Sequence, residues 1–85
     1  MTFTVEIKHT AMKELKSLPQ YIMKKSILII DSLSVEPRPD GCKKLVDSKS
    51  RWRIRVGDYR ILYEIDNQAD IVTVFRVAHR KEIYR

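Results

Sequence analysis

Apolar and polar residues alternate at the start of the chain and then change to a helical spacing. From Phe3 to Lys8 the period is two, which is typical of a half-buried strand. Ala11, Leu15 and Leu18 then recur at the spacing of one helix face. The pattern therefore predicts a short strand followed by a first helix.

A second helix is expected directly after the first. The segment Ser17–Gln20 favours a helix start. The Ser17 hydroxyl can accept hydrogen bonds from free backbone amides of the first turn, and the Gln20 side chain can bond the Ser17 backbone N–H in return. The apolar stripe of this helix continues to Leu33. Two prolines and a glycine between positions 37 and 41 end the helix and open a loop.

Beyond residue 50 the period returns to two. Trp52–Val56 and Tyr59–Ile65 are predicted strands joined by a two-residue turn, and a third strand is predicted over about Ile71–Ala78. The order strand-helix-helix-strand-strand-strand predicts an α+β domain, with a mostly antiparallel sheet and the two N-terminal helices packed on one face. Because 85 residues are too few for two cores, residues 1–85 are expected to form a single domain.

Counting outward from a turn at Gly57-Asp58 gives the register of the first two C-terminal strands. One face then pairs apolar and aromatic residues: Val56 with Tyr59, Ile54 with Ile61, and Trp52 with Tyr63. The other face pairs Arg55 with Arg60, Arg53 with Leu62, and Arg51 with Glu64. The hydrophobic pattern agrees with this register throughout, which supports it because a slip of one residue would exchange the faces.

The third strand extends the arginine-bearing face. A loop from Asp66 to Asp70 would set Ile65 opposite Ile71 and Arg76 beside Arg60. In that register the same face also carries Leu62, Val72, Val74 and Arg80. Like charges directly opposite each other destabilise a sheet by a few tenths to about 1 kcal/mol, so a row of arginines is costly unless an anion lies on it. The face predicts a phosphate site that includes Arg76, against the alternative of a solvated basic surface.

The distribution of charge points to the same half of the chain. There are 17 Lys and Arg residues against 11 Asp and Glu residues, a net charge of +6, which predicts an acidic partner such as nucleic acid. Basic residues are nearly all lysine up to residue 50 and nearly all arginine from Arg51 onward. Since the planar guanidinium matches phosphate oxygens, the site is expected in the C-terminal half.

Neither a metal site nor a membrane segment is predicted. Cys42 is a single cysteine, so it can form no internal disulfide and no thiolate cluster. The loop aspartates lack the spacing of metal ligands. No apolar run approaches the ~20 residues of a membrane helix, and Met1–Thr10 lacks the pattern of a secretory signal. We expect a cytoplasmic protein with no cofactor and no membrane partner.

Two stretches of the chain resemble a family signature. Trp52–Tyr63 and Val77–Tyr84 are similar to the C-terminal signature of the RelE/ParE toxin superfamily, and the strand and helix pair ahead of them fit as well. The resemblance to the RelE-like branch implies the toxin of a type II toxin–antitoxin system, held inactive by a cognate, RelB-like acidic antitoxin. It also implies an mRNA interferase that enters the A site of the 30S ribosomal subunit and inhibits translation.

The reaction that the resemblance implies is a metal-independent cleavage of RNA. The 2′-hydroxyl attacks its own 3′-phosphate, which leaves a cyclic phosphate and a 5′-hydroxyl. Carried over by position, Arg60 would bind the scissile phosphate, and Arg80 would stabilise the leaving group or the transition state. Tyr84 matches the family tyrosine that stacks on the substrate base.

Arg53 and Arg55 depart from the family pattern, because they fall where RelE carries two lysines. Arginine stays protonated up to at least about pH 12, so we expect these two residues to bind the substrate as electrostatic clamps rather than to act as bases. The hypothesis for the proton acceptor is His79, since an imidazole titrates near neutral pH.

Two other functions fit the same sequence. A ParE-like toxin would poison DNA gyrase by binding, although such members generally lack the full set of catalytic arginines and tyrosine. A non-catalytic RNA-binding module would show salt-sensitive binding and no growth arrest.

Overall fold

The computed structural model describes residues 2–46 and 48–83, which form a sheet of five strands with two helices on one face. In chain order the elements are β1 (Thr4–Ile7), α1 (His9–Lys16), α2 (Gln20–Ser32), β2 (Lys43–Lys44), β3 (Arg51–Val56), β4 (Tyr59–Asp66), β5 (Ile71–His79) and α3 (Arg80–Ile83). The strand order is β1-β5-β4-β3-β2, with β1 parallel to β5 and the other neighbours antiparallel. The predicted α+β class is confirmed, and the two-residue β2 and the one-turn α3 are additions to it.

The core lies between the two longer helices and one face of the sheet. Ala11 and Leu15 come from α1, and Ile30 and Leu33 from α2. The sheet contributes Ile54, Val56, Ile61, Tyr63, Ile65, Val72, Val74 and Val77. Among the described residues, no helix has both the length and the apolar composition needed to cross a membrane.

The β3–β4 hairpin has the predicted register at every pair from Arg51 with Glu64 to Val56 with Tyr59. Gly57 has a φ of +59°, as the first central residue of a type II′ turn requires. This turn suits the right-handed twist of the flanking strands, so it fixes the register. We call the side of the sheet opposite the helices, which carries Arg53, Arg55 and Arg60, the arginine face.

A β-bulge in β5 changes its register against β4. The observed pairs are Asp66 with Ile71, Ile65 with Val72, Glu64 with Thr73, Tyr63 with Val74, Leu62 with Arg76, Ile61 with Val77, Arg60 with Ala78, and Tyr59 with His79. Phe75 is the extra residue, since it has no partner between Val74 and Arg76. The predicted pairs Ile65 with Ile71 and Arg60 with Arg76 are therefore wrong.

The same register moves two valines to the opposite side of the sheet. Val72 and Val74 pair with Ile65 and Tyr63, and both are 0% exposed beneath the helices. The prediction that they share the arginine face is wrong, because the strand before the bulge alternates in the other phase. Leu62 does lie on the arginine face, where it is buried.

The start of α2 also differs from the prediction. The residue before its first turn is Pro19, with no side-chain hydrogen bond at the cap. Ser17 instead follows α1, and its hydroxyl donates to the Glu14 carbonyl at 2.8 Å. Ser17 therefore serves the end of the first helix rather than the start of the second.

Tyr63 anchors the loop between α2 and β2 to the core. The fully buried phenol donates a hydrogen bond to the Pro37 carbonyl at 2.9 Å. Burial raises the pKa of the Tyr63 phenol above its ordinary value of 10.0, and the neighbouring Cys42 raises it further. The loop that leads to Gly41 and β2 is thus held by a side chain of the central strand.

The raised pKa of Tyr63 predicts a loss of stability at alkaline pH. Above about pH 10 the unfolded chain releases a phenolic proton that the folded chain retains, so the contribution is complete below pH 10 and is lost as the pH rises. Urea unfolding between pH 8 and 11 should show a steeper fall for the wild type than for Tyr63→Phe, by up to about 1.4 kcal/mol per pH unit. Tyr21→Phe, on an exposed phenol, is the control and should keep the wild-type slope. Equal slopes for the wild type and Tyr63→Phe would contradict the prediction.

Candidate functional site

A positively charged cleft of about 160 Å³ opens on the arginine face. Its lining residues are Gly41, Lys43, Arg53, Arg55 and Arg60. Three neighbouring strands supply the cations, because β2 places Lys43 opposite Arg53 and β3 places Arg55 opposite Arg60. None of these lining residues is acidic, so the cleft is suited to an anion of the size of a phosphate group.

The turn between β3 and β4 holds two of these arginines close together. The Gly57 carbonyl accepts a hydrogen bond from Arg55 Nε at 3.2 Å and another from an Arg60 guanidinium nitrogen at 3.3 Å. The same Arg60 nitrogen also donates to the Tyr59 carbonyl at 3.1 Å. A guanidinium has five N–H donors, so these bonds fix the two groups and leave donor capacity for a ligand.

Arg80 lies at the same turn, beside the cleft rather than in its lining. Its backbone N–H donates to the Asp58 carbonyl at 2.8 Å, which starts α3 at the end of the hairpin. Its Nε lies 3.9 Å from Asp58 Oδ1, in an exposed ion pair. Arg55, Arg60 and Arg80 therefore all bind oxygen atoms of the Gly57-Asp58 turn.

Arg76 is directed to the edge of the sheet. Its Nε lies 3.6 Å from Glu14 Oε2 of α1. The other oxygen of Glu14 accepts the Val77 backbone N–H at 2.9 Å, where β5 extends beyond the end of β1. Because Glu14 satisfies this open strand edge and also pairs with Arg76, the structure separates Arg76 from the cations of the cleft.

His79 lies on the helix-covered face of the sheet. It pairs with Tyr59, and the two rings meet edge to face with centroids 5.3 Å apart. Its Nδ1 accepts the Lys81 backbone N–H at 3.1 Å. The ring borders a separate depression beside Ser17 and Leu18. The structure therefore does not bring His79 together with the cleft arginines, and Tyr84 lies outside the described residues.

Residues 5–84 match the sequence model of a family described as the ParE toxin of type II toxin–antitoxin systems. The chain belongs to this toxin family. Toxin RelG of Mycobacterium tuberculosis is 35% identical to it over 86 residues, which cover 100% of this toxin and 99% of the relative. The name of that relative agrees with the RelE-like assignment made from the sequence.

Solved structures give the same assignment for the toxin. The archaeal RelE–RelB complex from Pyrococcus horikoshii matches with a TM-score of 0.83 and 28% identity, covering 94% of this chain and 97% of that one. The toxin–antitoxin complex RelBE2 from Mycobacterium tuberculosis matches with a TM-score of 0.80 and 33% identity, covering 94% and 100%. The toxin therefore has the RelE fold.

The interpretation from sequence missed two residues that line the cleft of the toxin. Lys43 belongs to the lysine-rich first half of the chain, where no site was expected, and Gly41 served only as a signal for the end of the second helix. Lys43 follows the loop and pairs with Arg53 through a strand of two residues, which is too short to show a period. The available signal was the basic pair at positions 43 and 44 directly after the glycine.

Proposed function

We propose that the toxin is a ribosome-dependent endoribonuclease that cuts mRNA in the A site and so inhibits translation. The observation that carries this proposal is the cleft in which Lys43, Arg53, Arg55 and Arg60 converge. This cluster of cations favours the binding of a phosphate group. Without an anion, the like-charge pair of Arg55 and Arg60 destabilises the sheet. The RelE and RelG names of its relatives support the same activity.

In the proposed reaction the 2′-hydroxyl oxygen attacks its own 3′-phosphate. The new P–O2′ bond forms as the P–O5′ bond breaks, which gives a 2′,3′-cyclic phosphate and a 5′-hydroxyl. Negative charge grows on the phosphate oxygens, and Arg60 is placed to bind them with Arg53 and Arg55 as clamps. From its place at the neighbouring turn, Arg80 stabilises the departing 5′-oxygen.

Lys43 is the cleft residue that can take the proton of the 2′-hydroxyl. Lysine can serve as a base in proteins, whereas arginine in practice cannot. Lys43 lines the cleft opposite Arg53, while the earlier candidate, His79, lies on the other face of the sheet. For this step the Lys43 amine must first release its own proton to water. It then takes the proton from O2′, and the departing 5′-oxygen takes a proton from water.

Exchanging Lys43 for arginine should separate these two candidates. Lys43→Arg keeps the charge and removes the base, so cleavage should slow by about a hundredfold or more, the contribution of a positioned general base. His79→Ala should stay within about threefold of the wild type. Lys49→Arg, at an exposed residue just before β3 and outside the cleft lining, is the matched control. Single-turnover cleavage on ribosomes measures all three rates. Wild-type cleavage by Lys43→Arg with an inactive His79→Ala would return the role to the histidine.

The ribosome has a defined part in this proposal. The cleft is lined by cations and one glycine, so a single phosphodiester is held there mainly by charge. Holding the mRNA in line for attack converts a loosely bound substrate into a reactive one, and the A site supplies that positioning.

We also propose a RelB-like acidic antitoxin as the partner that inactivates the toxin. The similar structures from Pyrococcus horikoshii and Mycobacterium tuberculosis are complexes of this kind. The net charge of +6 favours an acidic partner. Tyr21 and Leu28 give α2 exposed apolar surface on which such a chain can bury its own apolar residues.

Primer extension on a defined mRNA tests the proposed activity. Purified toxin with translating ribosomes should produce discrete cuts in phase with codons, and the same mRNA without ribosomes should stay intact. An intact message in both reactions would contradict the proposal.

The second candidate is inhibition of DNA gyrase, which the ParE description of the matched family favours. It predicts an intact message together with arrested growth and a block in supercoiling by purified gyrase. An intact message with no arrest of growth would leave a non-catalytic RNA-binding module.

A further inference from the structure

Beside the charged cleft lies a second depression of a different chemical character. It has a volume of about 280 Å³. Its apolar lining consists of Leu45, Val46, Leu62 and Ile83, and Lys44 and Arg53 complete it. An engineered cavity of about 150 Å³ holds a benzene molecule, so this depression has room for a planar heteroaromatic ring.

Three parts of the chain build this apolar pocket. Leu62 of β4 forms its floor on the arginine face. Ile83 reaches it because α3 turns back from the hairpin end, where the Arg80 N–H is bonded to the Asp58 carbonyl. Leu45 is fixed on the third side by its N–H bond to the Arg51 carbonyl at 2.9 Å. These bonds give the pocket a defined shape without a bound partner.

Arg53 connects the apolar pocket to the phosphate cleft, because it lines both. Arg55 and Arg60 lie two residues further along the hairpin, a separation of about 7 Å at about 3.4 Å per residue. A phosphate at Arg55 and Arg60 would therefore leave room for an adjoining ribose near Arg53 and for the next group over Leu62. On an RNA strand that group is a nucleobase.

From this geometry we infer that the apolar pocket is a nucleobase subsite for the RNA whose phosphate occupies the cleft. This inference rests on the proposed function and adds a second contact to it. Val46 lines the subsite with a side chain that is 98% exposed, so its apolar surface is available to contact a ring. The polar side chains of the lining are those of Lys44 and Arg53, and the other side chains are apolar, so the subsite should accept all four bases.

NMR titration with small uncleavable probes tests the subsite. The probes are a diadenosine monophosphate with a 2′-deoxyribose on the 5′ side of the phosphate, and two abasic counterparts that each lack one base. All three should shift the Nε–H signals of Arg55 and Arg60. The complete probe should also shift the methyl signals of Val46 and Leu62 by ring currents, and one abasic probe should lose this effect.

The affinities give the quantitative form of the test. For the wild type, removing the critical base should raise the dissociation constant about tenfold, equivalent to about 1.4 kcal/mol. Val46→Ser should abolish most of this difference while binding the abasic probe as before, and Val46→Ile should keep it. Val35→Ser changes a valine that is 71% exposed in the turn after α2, and it should behave as the wild type.

The outcomes separate this inference from the function on which it rests. Equal affinities for all three probes, with the arginine signals still shifting, would overturn the base subsite and leave the phosphate cleft in place. A Val46→Ser protein that discriminates as the wild type does would overturn it as well. Arginine signals that do not move with any probe would overturn both proposals.

Discussion

Replacing Arg60 with alanine is expected to slow mRNA cleavage on ribosomes by about a hundredfold to a thousandfold. Removing one donor that binds the developing charge of a transition state has an effect of this size in other enzymes. Arg60 lines the cleft and is held in place by the Gly57 and Tyr59 carbonyls, so its guanidinium is already oriented before the substrate binds. Single-turnover primer extension measures the loss.

The fold should survive the Arg60→Ala substitution. The change removes two hydrogen bonds but also relieves the like-charge pair with Arg55, so the free energy of unfolding should change by less than about 1 kcal/mol. Arg51→Ala is the matched control, because it removes the same charge from the same face at a residue outside the cleft lining. Equal activity in the two variants would show that the cleft does not hold the scissile phosphate.

Replacing Ile61 with alanine is expected to destabilise the protein by about 2–5 kcal/mol, the usual cost of emptying a buried isoleucine site. Ile61 is 0% exposed and sits in the middle of the sheet, between Ile54 and Val77 and beneath the helices. A domain of 85 residues has only about 4–13 kcal/mol of stability, so a large part of it is lost.

Urea unfolding checks the Ile61 prediction. The midpoint should fall with little change in slope, because the surface exposed on unfolding stays the same. Ile61→Val should lose only about 0.5–1.5 kcal/mol, since one methylene is removed. Leu28→Ala, on the exposed side of α2, should stay within about 0.5 kcal/mol of the wild type. A loss below about 1 kcal/mol in Ile61→Ala would contradict the described core.

The register of the β3–β4 hairpin could be predicted from the sequence, because the turn and the alternation of apolar residues independently indicate the same pairing. Gly57 specifies a two-residue turn, and the apolar residues counted from it fall on one face. The arginines of β3 and β4 could therefore be placed on a common surface before any contact was known. The charged cleft is a direct consequence of that register.

The third strand could not be aligned in the same way, because its bulge breaks the period. Val72 and Val74 are two residues apart, but the next buried valine is Val77, three residues further on. That step of three was the visible sign of an extra residue, Phe75. Without the bulge, the apolar side chains of the two halves of β5 could not all point towards the core. The predicted alternation of faces was correct for the half after the bulge only.

The placement of His79 shows that residues adjacent in sequence need not belong to the same site. His79 and Arg80 are neighbours in sequence, but successive residues at a strand end point to opposite sides of the sheet. The His79 imidazole contacts the Tyr59 ring, while the Arg80 guanidinium forms an ion pair with Asp58 in the turn. Lys43, distant in sequence, reaches the cleft instead because tertiary pairing with Arg53 brings it there.

The strict alternation of the β3–β4 hairpin also governs how the gene can vary. Codon changes at arginine-face positions leave the contacts of Ile54 and Ile61 intact, so the surface chemistry can drift towards new substrates while the fold persists. Loss of a single codon inside either strand would exchange the two faces of that strand beyond the deletion, so polar side chains would turn towards the core and apolar ones towards solvent. The hairpin therefore tolerates substitutions on its arginine face, whereas an in-frame deletion of one codon within it should inactivate the toxin.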